Sequence, residues 1–277
     1  MSDETNDVMT PFSWEPGTPH SVKVAGAALE VEVHGPAPGA SPTIILLHEG
    51  LGCVALWRDF PVNVANATGC GVLAYSRAGY GRSGKAVLPR PTDYMSIEAT
   101  EVLPEVIAQC RIGSYILLGH SDGATIAAIH AGDPAAARCA GLILMAPHFF
   151  TEPMGLAAIR QAGRAFETTD LGERLSKYHM DAEHSFRGWN DVWLSKDFEA
   201  WNVADVIDRW QAPALAIQGD DDEYGTLAQI REIERRAKVP LDVLIAKNCG
   251  HSPQFGAPDE TLAAVVSFVR SISAGNP

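Results

Sequence analysis

Apolar residues in this chain fall into short unbroken runs separated by longer amphipathic stretches. Residues 43–48, 71–76, 115–119, 140–146, 214–219 and 241–246 are such runs. A short apolar run bounded by turn formers reads as a strand buried on both faces. Residues 57–68, 97–112, 226–237 and 260–272 instead repeat their apolar positions three and four apart, which predicts helices. The second of these ends at Gly113. Residues 21–26 and 28–35 read as a hairpin, and residues 36–42 carry turn chemistry. Strands alternating with helices predict an α/β fold with a mostly parallel, doubly wound sheet of about eight strands.

The alternation fails between residues 148 and 205, where no strand pattern is found. This stretch is rich in aromatic residues, and Phe186, Trp189 and Trp193 share one helical face. Such a stripe has to bury itself against something. The nearest surface is the carboxyl edge of the sheet. A helical cap over residues 148–205 is therefore expected, inserted into a core built from residues 21–147 and 206–277. Candidate pocket walls are Leu51, His148, Phe149, Trp189 and Trp193. Residues 1–20 are polar and rich in Pro and Gly, and are expected to form a loose arm.

One run ends in a turn with chemical meaning. Residues 115–118 lead into Gly119-His120-Ser121-Asp122-Gly123, and small residues follow at once. Strand, sharp turn and helix in this order hold a serine hydroxyl out at the top of a sheet. The next backbone N–H, that of Asp122, points to the same spot. A serine needs a base, and the base needs an orienting group. His251 lies on the loop after the last predicted strand, within reach of that edge. The run at 214–219 ends in four successive acids, Asp220, Asp221, Asp222 and Glu223. The order serine, acid, histidine suits a sheet of this kind.

Composition narrows the choice of partners. The 277 residues are 46% apolar and carry a formal net charge of −13. No basic stripe is present, so nucleic acid is not an expected partner. No run is long enough to span a membrane. The acidic start lacks the pattern of a secretory leader. Five cysteines without a Cys-x-x-Cys pair read as reduced thiols, which points to a cytoplasmic location. His130, His179 and His184 show no metal-ligand spacing, and neither a metal nor a cofactor is expected. Oligomeric state is not readable from the pattern.

Five motifs in order resemble the α/β-hydrolase superfamily, in its capped, cofactor-free branch. They are His48-Glu49-Gly50, Gly79-Tyr80-Gly81-Arg82-Ser83, the serine turn, Gly219-Asp220-Asp221-Asp222 and Gly250-His251. The resemblance covers residues 25–145 and 210–272. It implies a Ser121, Asp222 and His251 triad, with Asp221 as the other candidate acid. It also implies an oxyanion hole made by the N–H groups of Gly50 and Asp122, with His48, Glu49 and His120 behind it. Glu49 stands where the family usually has glycine, and Arg77 or Arg82 are candidate partners for its charge.

The implied reaction is hydrolysis of a small-molecule carboxylic ester with an apolar acyl or alcohol part. Lactones, thioesters and polyesters are chemically close. Carbon–carbon bond hydrolysis is the alternative, because Arg160, Arg164, Arg174 and Arg187 in the cap would suit an anionic substrate. A non-catalytic ligand-binding protein is the third reading. Dehalogenase and epoxide hydrolase chemistry is disfavoured, since it needs a carboxylate where Ser121 stands.

Overall fold

The structure is a computed structural model and describes residues 12–274. Among the described residues, eight strands form one sheet in the order β1-β2-β4-β3-β5-β6-β7-β8. They are β1 (His20–Val24), β2 (Ala27–His34), β3 (Thr43–Leu47), β4 (Val72–Tyr75), β5 (Tyr115–His120), β6 (Cys139–Met145), β7 (Ala214–Gly219) and β8 (Leu241–Ala246). The hairpin β1–β2 is antiparallel and joins β4 antiparallel, and all other pairs are parallel.

The unbroken apolar runs follow from burial on both faces. Ile44, Leu46, Ile116, Leu118, Ile143 and Met145 share one face with Val64 of α1 (Phe60–Thr68) and Val265 of α10 (Pro258–Ala274). Their neighbours Ile45, Leu47, Leu117, Leu142 and Leu144 point the other way. There they join Ile126 of α4 (Asp122–Ala131) and Ile233 of α8 (Ala228–Arg236). A period of two along each strand divides the residues between the layers. At the edges the pattern loosens, and β8 is only partly buried.

Two predicted helices are interrupted. The stretch read as 57–68 is a 3₁₀ turn (Val54–Trp57), a break at Arg58 with φ 52°, and then α1, closed by a left-handed Gly69. The stretch read as 97–112 starts earlier, as α2 (Tyr94–Ile97). It widens into a π turn (Glu98–Val102) and continues as α3 (Leu103–Gln109). Pro104 has no N–H to give back to the preceding turn, and a wider register ahead of it accommodates the loss.

Between β6 and β7 the chain forms α5 (Pro153–Thr168), α6 (Leu171–Leu175) and α7 (Ala182–Trp193), with no named strand. Phe166 of α5 stacks on Phe186 of α7 at 4.1 Å between ring centres. This inserted helical layer is tied to the core at several points. Ser185 Oγ donates to Gly79 O at 2.6 Å, and Met180 N donates to Gly81 O at 3.0 Å. The segment after β8 carries α9 (Pro253–Gly256) just before α10.

The expected loose arm divides in two. Residues 1–11 lie outside the described residues. Residues 12–19 are fastened: Trp14 Nε1 donates to Gly35 O at 3.0 Å, and Gly17 N donates to Val33 O at 3.2 Å. An indole in the segment, invisible to a count of polar residues, anchors it. Among the described residues no helix is long and apolar enough to cross a membrane.

Candidate active site

Ser121 sits at the junction of β5 and α4 with φ 53° and ψ −119°. A side chain in this region is strained, and surrounding packing has to hold it there. Two glycines make that packing possible. A Cβ at Gly119 would strike the backbone of Gly123, and one at Gly123 would strike the carbonyl of Leu47 on β3. Strand and helix therefore cross at backbone contact, and the serine is left at the apex.

His251 lies on the loop after β8. Its Nε2 is 2.9 Å from Ser121 Oγ. Its Nδ1 is 2.8 Å from Asp222 Oδ2 and 2.9 Å from Oδ1. Asp222 also accepts from Gln218 Nε2 at 2.6 Å, Tyr224 N at 2.8 Å and Gly225 N at 3.2 Å. Burial alone would push this carboxyl up. The bond from His251, its nearby charge and the N–H of Tyr224 outweigh burial and hold it below the usual carboxylate range. The neighbouring acids are placed differently. Asp220 pairs with Lys247 at 3.2 Å, Asp221 is exposed, and Glu223 accepts from the backbone N–H of His251.

On the other side of Ser121 is the loop after β3. Arg77 N donates to His48 Nε2 at 3.0 Å, so that nitrogen accepts and Nδ1 carries the proton. Nδ1 donates to Glu49 O at 2.7 Å. The Arg77 guanidinium, itself buried, donates to His48 O and, across 3.0 Å, to Glu49 O. A planar trans peptide holds its C=O and N–H on opposite edges. With Glu49 O held by two donors, the Gly50 N–H of the same unit is turned away from Arg77.

Arg77 Nη2 also stands 4.0 Å from Asp122 Oδ2. That oxygen accepts from Tyr94 OH, and Tyr94 OH accepts from Trp193 Nε1 of α7 at 3.0 Å. Burial pushes the Asp122 carboxyl up, with Arg77 and the tyrosine hydrogen bond opposing it. The N–H of Asp122, in the first turn of α4, has no acceptor within its own helix.

The cation pairing expected for Glu49 takes another form. Arg77 holds its backbone oxygen rather than its carboxylate, because the guanidinium is turned toward Asp122 and the loop carbonyls. Arg82 donates its backbone N–H to Glu30. The Glu49 carboxylate instead faces His120, with Oε2 3.5 Å from Nδ1. His120 Nε2 is bonded to His251 O at 2.7 Å.

A cavity of about 170 Å³ opens over the serine, lined in part by Gly50, Leu51, Ser121, Asp122, His148, Trp189, Trp193 and His251. Phe149 is a correction: it is fully buried and packs on Trp210, while its neighbour Phe150 faces the cavity. Phe149 N donates to Gln229 Oε1 and its O accepts from Val203 N, which turn its ring into the core. Wall residues outside the expected set are Phe150, Glu152, Gly155, Leu156, Ile159 and Tyr224. The i, i+4 spacing of Gly155 and Ile159 at the start of α5 is the signal that points to this face. Burial, reinforced by the nearby His251, pushes His148 down to about 3, so this cavity residue is a neutral imidazole. Among the described residues no group of three or more His, Cys, Asp or Glu is placed to hold a metal ion.

A family model described as the alpha/beta hydrolase family matches residues 44–265. The chain belongs to this family, and hydrolysis is the chemistry that the family and its named relatives support. A protein named "Putative hydrolase LipZ" from Mycobacterium tuberculosis is 25% identical over 267 residues, covering 84% of this chain and 90% of its own length. Among solved structures, one from work on carboxylesterases of the thaumarchaeon Nitrososphaera gargenis superposes with a TM-score of 0.75. It is 16% identical and covers 93% of this chain and 99% of its own. The enol-lactonase from Burkholderia xenovorans LB400 superposes with a TM-score of 0.70. It is 19% identical over 91% of this chain and 100% of its own. At such identities these structures establish the fold.

Proposed function

We propose that this protein is a serine hydrolase that cleaves carboxylic esters through an acyl-enzyme. The observation that carries the reading is the line of contacts from Asp222 through His251 to Ser121, at 2.8 and 2.9 Å. In this reading Ser121 Oγ attacks the ester carbonyl as its proton passes to His251 Nε2. Asp222 keeps the imidazole oriented and stabilises it once charged. The N–H groups of Asp122 and Gly50 donate to the developing oxyanion, with Arg77 fixing the second of them. Collapse expels the alkoxide, which takes its proton from His251. A water molecule then attacks the acyl carbonyl by the same route and frees the acid. Lactones, thioesters and polyester chains would follow the same steps.

The carbon–carbon reading rested on cationic groups in the cap. Arg174 pairs with Asp170 and Arg187 with Glu167, and neither these two nor Arg160 and Arg164 line the cavity. That favours the ester. The test is labelling by a fluorophosphonate, with turnover of p-nitrophenyl acetate, butyrate and octanoate by the wild type and by Ser121→Ala. Labelling and turnover are expected in the wild type and lost in the variant. Turnover that survives Ser121→Ala would overturn the proposal, and a wild type that neither labels nor turns over would leave a binding protein.

A further inference from the structure

We propose that the cavity selects substrates carrying a cationic group, a protonated amine or a quaternary ammonium, with Glu49 as its counter-ion. The ester part of this inference rests on the reading above, while the recognition part stands on the walls themselves. The lining residues include the aromatic Phe150, Trp189, Trp193 and Tyr224 and the acidic Glu49 and Glu152, and they include no lysine or arginine. Aromatic faces beside a carboxylate are the surroundings that hold an ammonium ion, through the negative faces of the rings and the charge together.

The two carboxylates are not equivalent. Glu152 accepts from Thr226 N, Thr226 Oγ1 and Gln229 Nε2 at 2.6–3.0 Å. These neutral donors satisfy its oxygens and leave its charge uncancelled. Glu49 is less well served. The charge partner facing it is His120, across 3.5 Å, which is long for a hydrogen bond. His120 Nε2 faces the carbonyl of His251, an acceptor, so that nitrogen carries the proton. Its Nδ1 receives the amide of Gln254 at 3.2 Å. With Nε2 on the His251 carbonyl and Nδ1 shared with the Gln254 amide, His120 has other partners at both nitrogens and meets Glu49 only across the long contact. The Glu49 side chain keeps 29% of its exposure, and the residue lines the same cavity as Ser121. An incoming cation gives this carboxylate a closer charge partner than His120, which stands 3.5 Å away.

Choline and 3,3-dimethylbutan-1-ol test this, because they share a shape and differ by a charged nitrogen in place of a carbon. Their binding to the full chain is read by the fluorescence of Trp189 and Trp193. Apolar burial alone favours the neutral alcohol, so the sign is decisive. The expected result is that choline binds about tenfold more tightly. Added salt should weaken choline alone, and Glu49→Gln should bring the two affinities within about threefold. An alcohol that binds as well as choline to the wild type overturns the proposal. So does the absence of saturable choline binding below about 100 mM, or a preference that survives Glu49→Gln. The wild-type comparison decides even if the variant does not fold. Binding is read without turnover, so Ser121→Ala should keep the preference. A chain that prefers choline and cleaves no ester would lose the catalytic reading and keep this one.

Discussion

Arg77 Nη2 donates to the carbonyl oxygen of Glu49 across 3.0 Å, and the same nitrogen lies 4.0 Å from Asp122 Oδ2. One buried guanidinium thus touches the loop on one side of Ser121 and the first residue of α4 on the other. Arg77→Lys keeps a charge near Asp122 but loses the fork that reaches two carbonyls at once. Its kcat on p-nitrophenyl butyrate should fall about 10- to 100-fold with KM little changed, because in the proposed mechanism the Gly50 N–H acts on the transition state. Arg77→Met should in addition lower the melting temperature, since it leaves Asp122 buried without its cation. Equal kcat values for wild type and Arg77→Lys would remove the positioning role.

The two aspartates that sequence left as candidates should separate cleanly. Asp222→Asn should lower kcat by about 10³- to 10⁴-fold through loss of the correct imidazole orientation. Asp221→Asn, on an exposed side chain, should change it by less than about twofold. Steady-state kinetics on one ester decides between them.

At Gly123 a single methyl group is the probe. Its Cβ would overlap the Leu47 carbonyl, which is backbone and part of the central strand pair. Gly123→Ala should destabilise the fold by roughly 3 kcal/mol or more. Urea unfolding monitored by circular dichroism measures it, and a change under about 1 kcal/mol would contradict the close crossing.

His148 gives a pH-dependent prediction with a definite sign. Its value in the unfolded chain is near 6.5, and burial brings it to about 3 in the fold. Between these values the unfolded state binds a proton that the native state refuses. The stability linked to this residue is therefore complete above pH 6.5 and drains away as the pH falls, by up to about 1.4 kcal/mol per pH unit. His148→Gln removes that slope. The stability gap between wild type and variant should shift by about 2–3 kcal/mol in favour of the variant between pH 7 and about 4.5. Urea titrations at the two pH values measure it.

Ile159 on α5 lines the cavity and is 4% exposed. Ile159→Trp should fill space that a long acyl chain needs. Turnover of p-nitrophenyl octanoate should drop about tenfold or more while the acetate stays within about threefold.

Much of this arrangement was legible in the sequence, for identifiable reasons. Strands buried on both faces leave continuous apolar runs, so β3 to β7 were placed within a residue or two. The glycines around Ser121 announced the turn because only a missing side chain permits the crossing. That an acid after β7 and His251 would lie near Ser121 followed from loops at one sheet edge, while the choice of Asp222 among four successive acids came from the family resemblance. What was hidden depends on the direction of single side chains. Phe149 and Phe150 are adjacent and alike, and only their backbone partners decide which ring enters the core. Likewise, nothing in the order of residues says that Arg77 takes backbone carbonyls and leaves the Glu49 carboxylate to His120. The π turn before Pro104 was missed because helical spacing averages over a one-residue shift in register.

The indole of Trp193 ends on the hydroxyl of Tyr94, and that hydroxyl ends on the carboxylate of Asp122. Roof and floor of the binding chamber therefore share a hinge pin. Under the proposed mechanism a bulky guest that lifts α7 tugs at the residue next to Ser121, so access and reactivity are geared to each other. Loosening the entrance to admit larger molecules, by design or by drift, has to proceed through other walls if turnover is to survive.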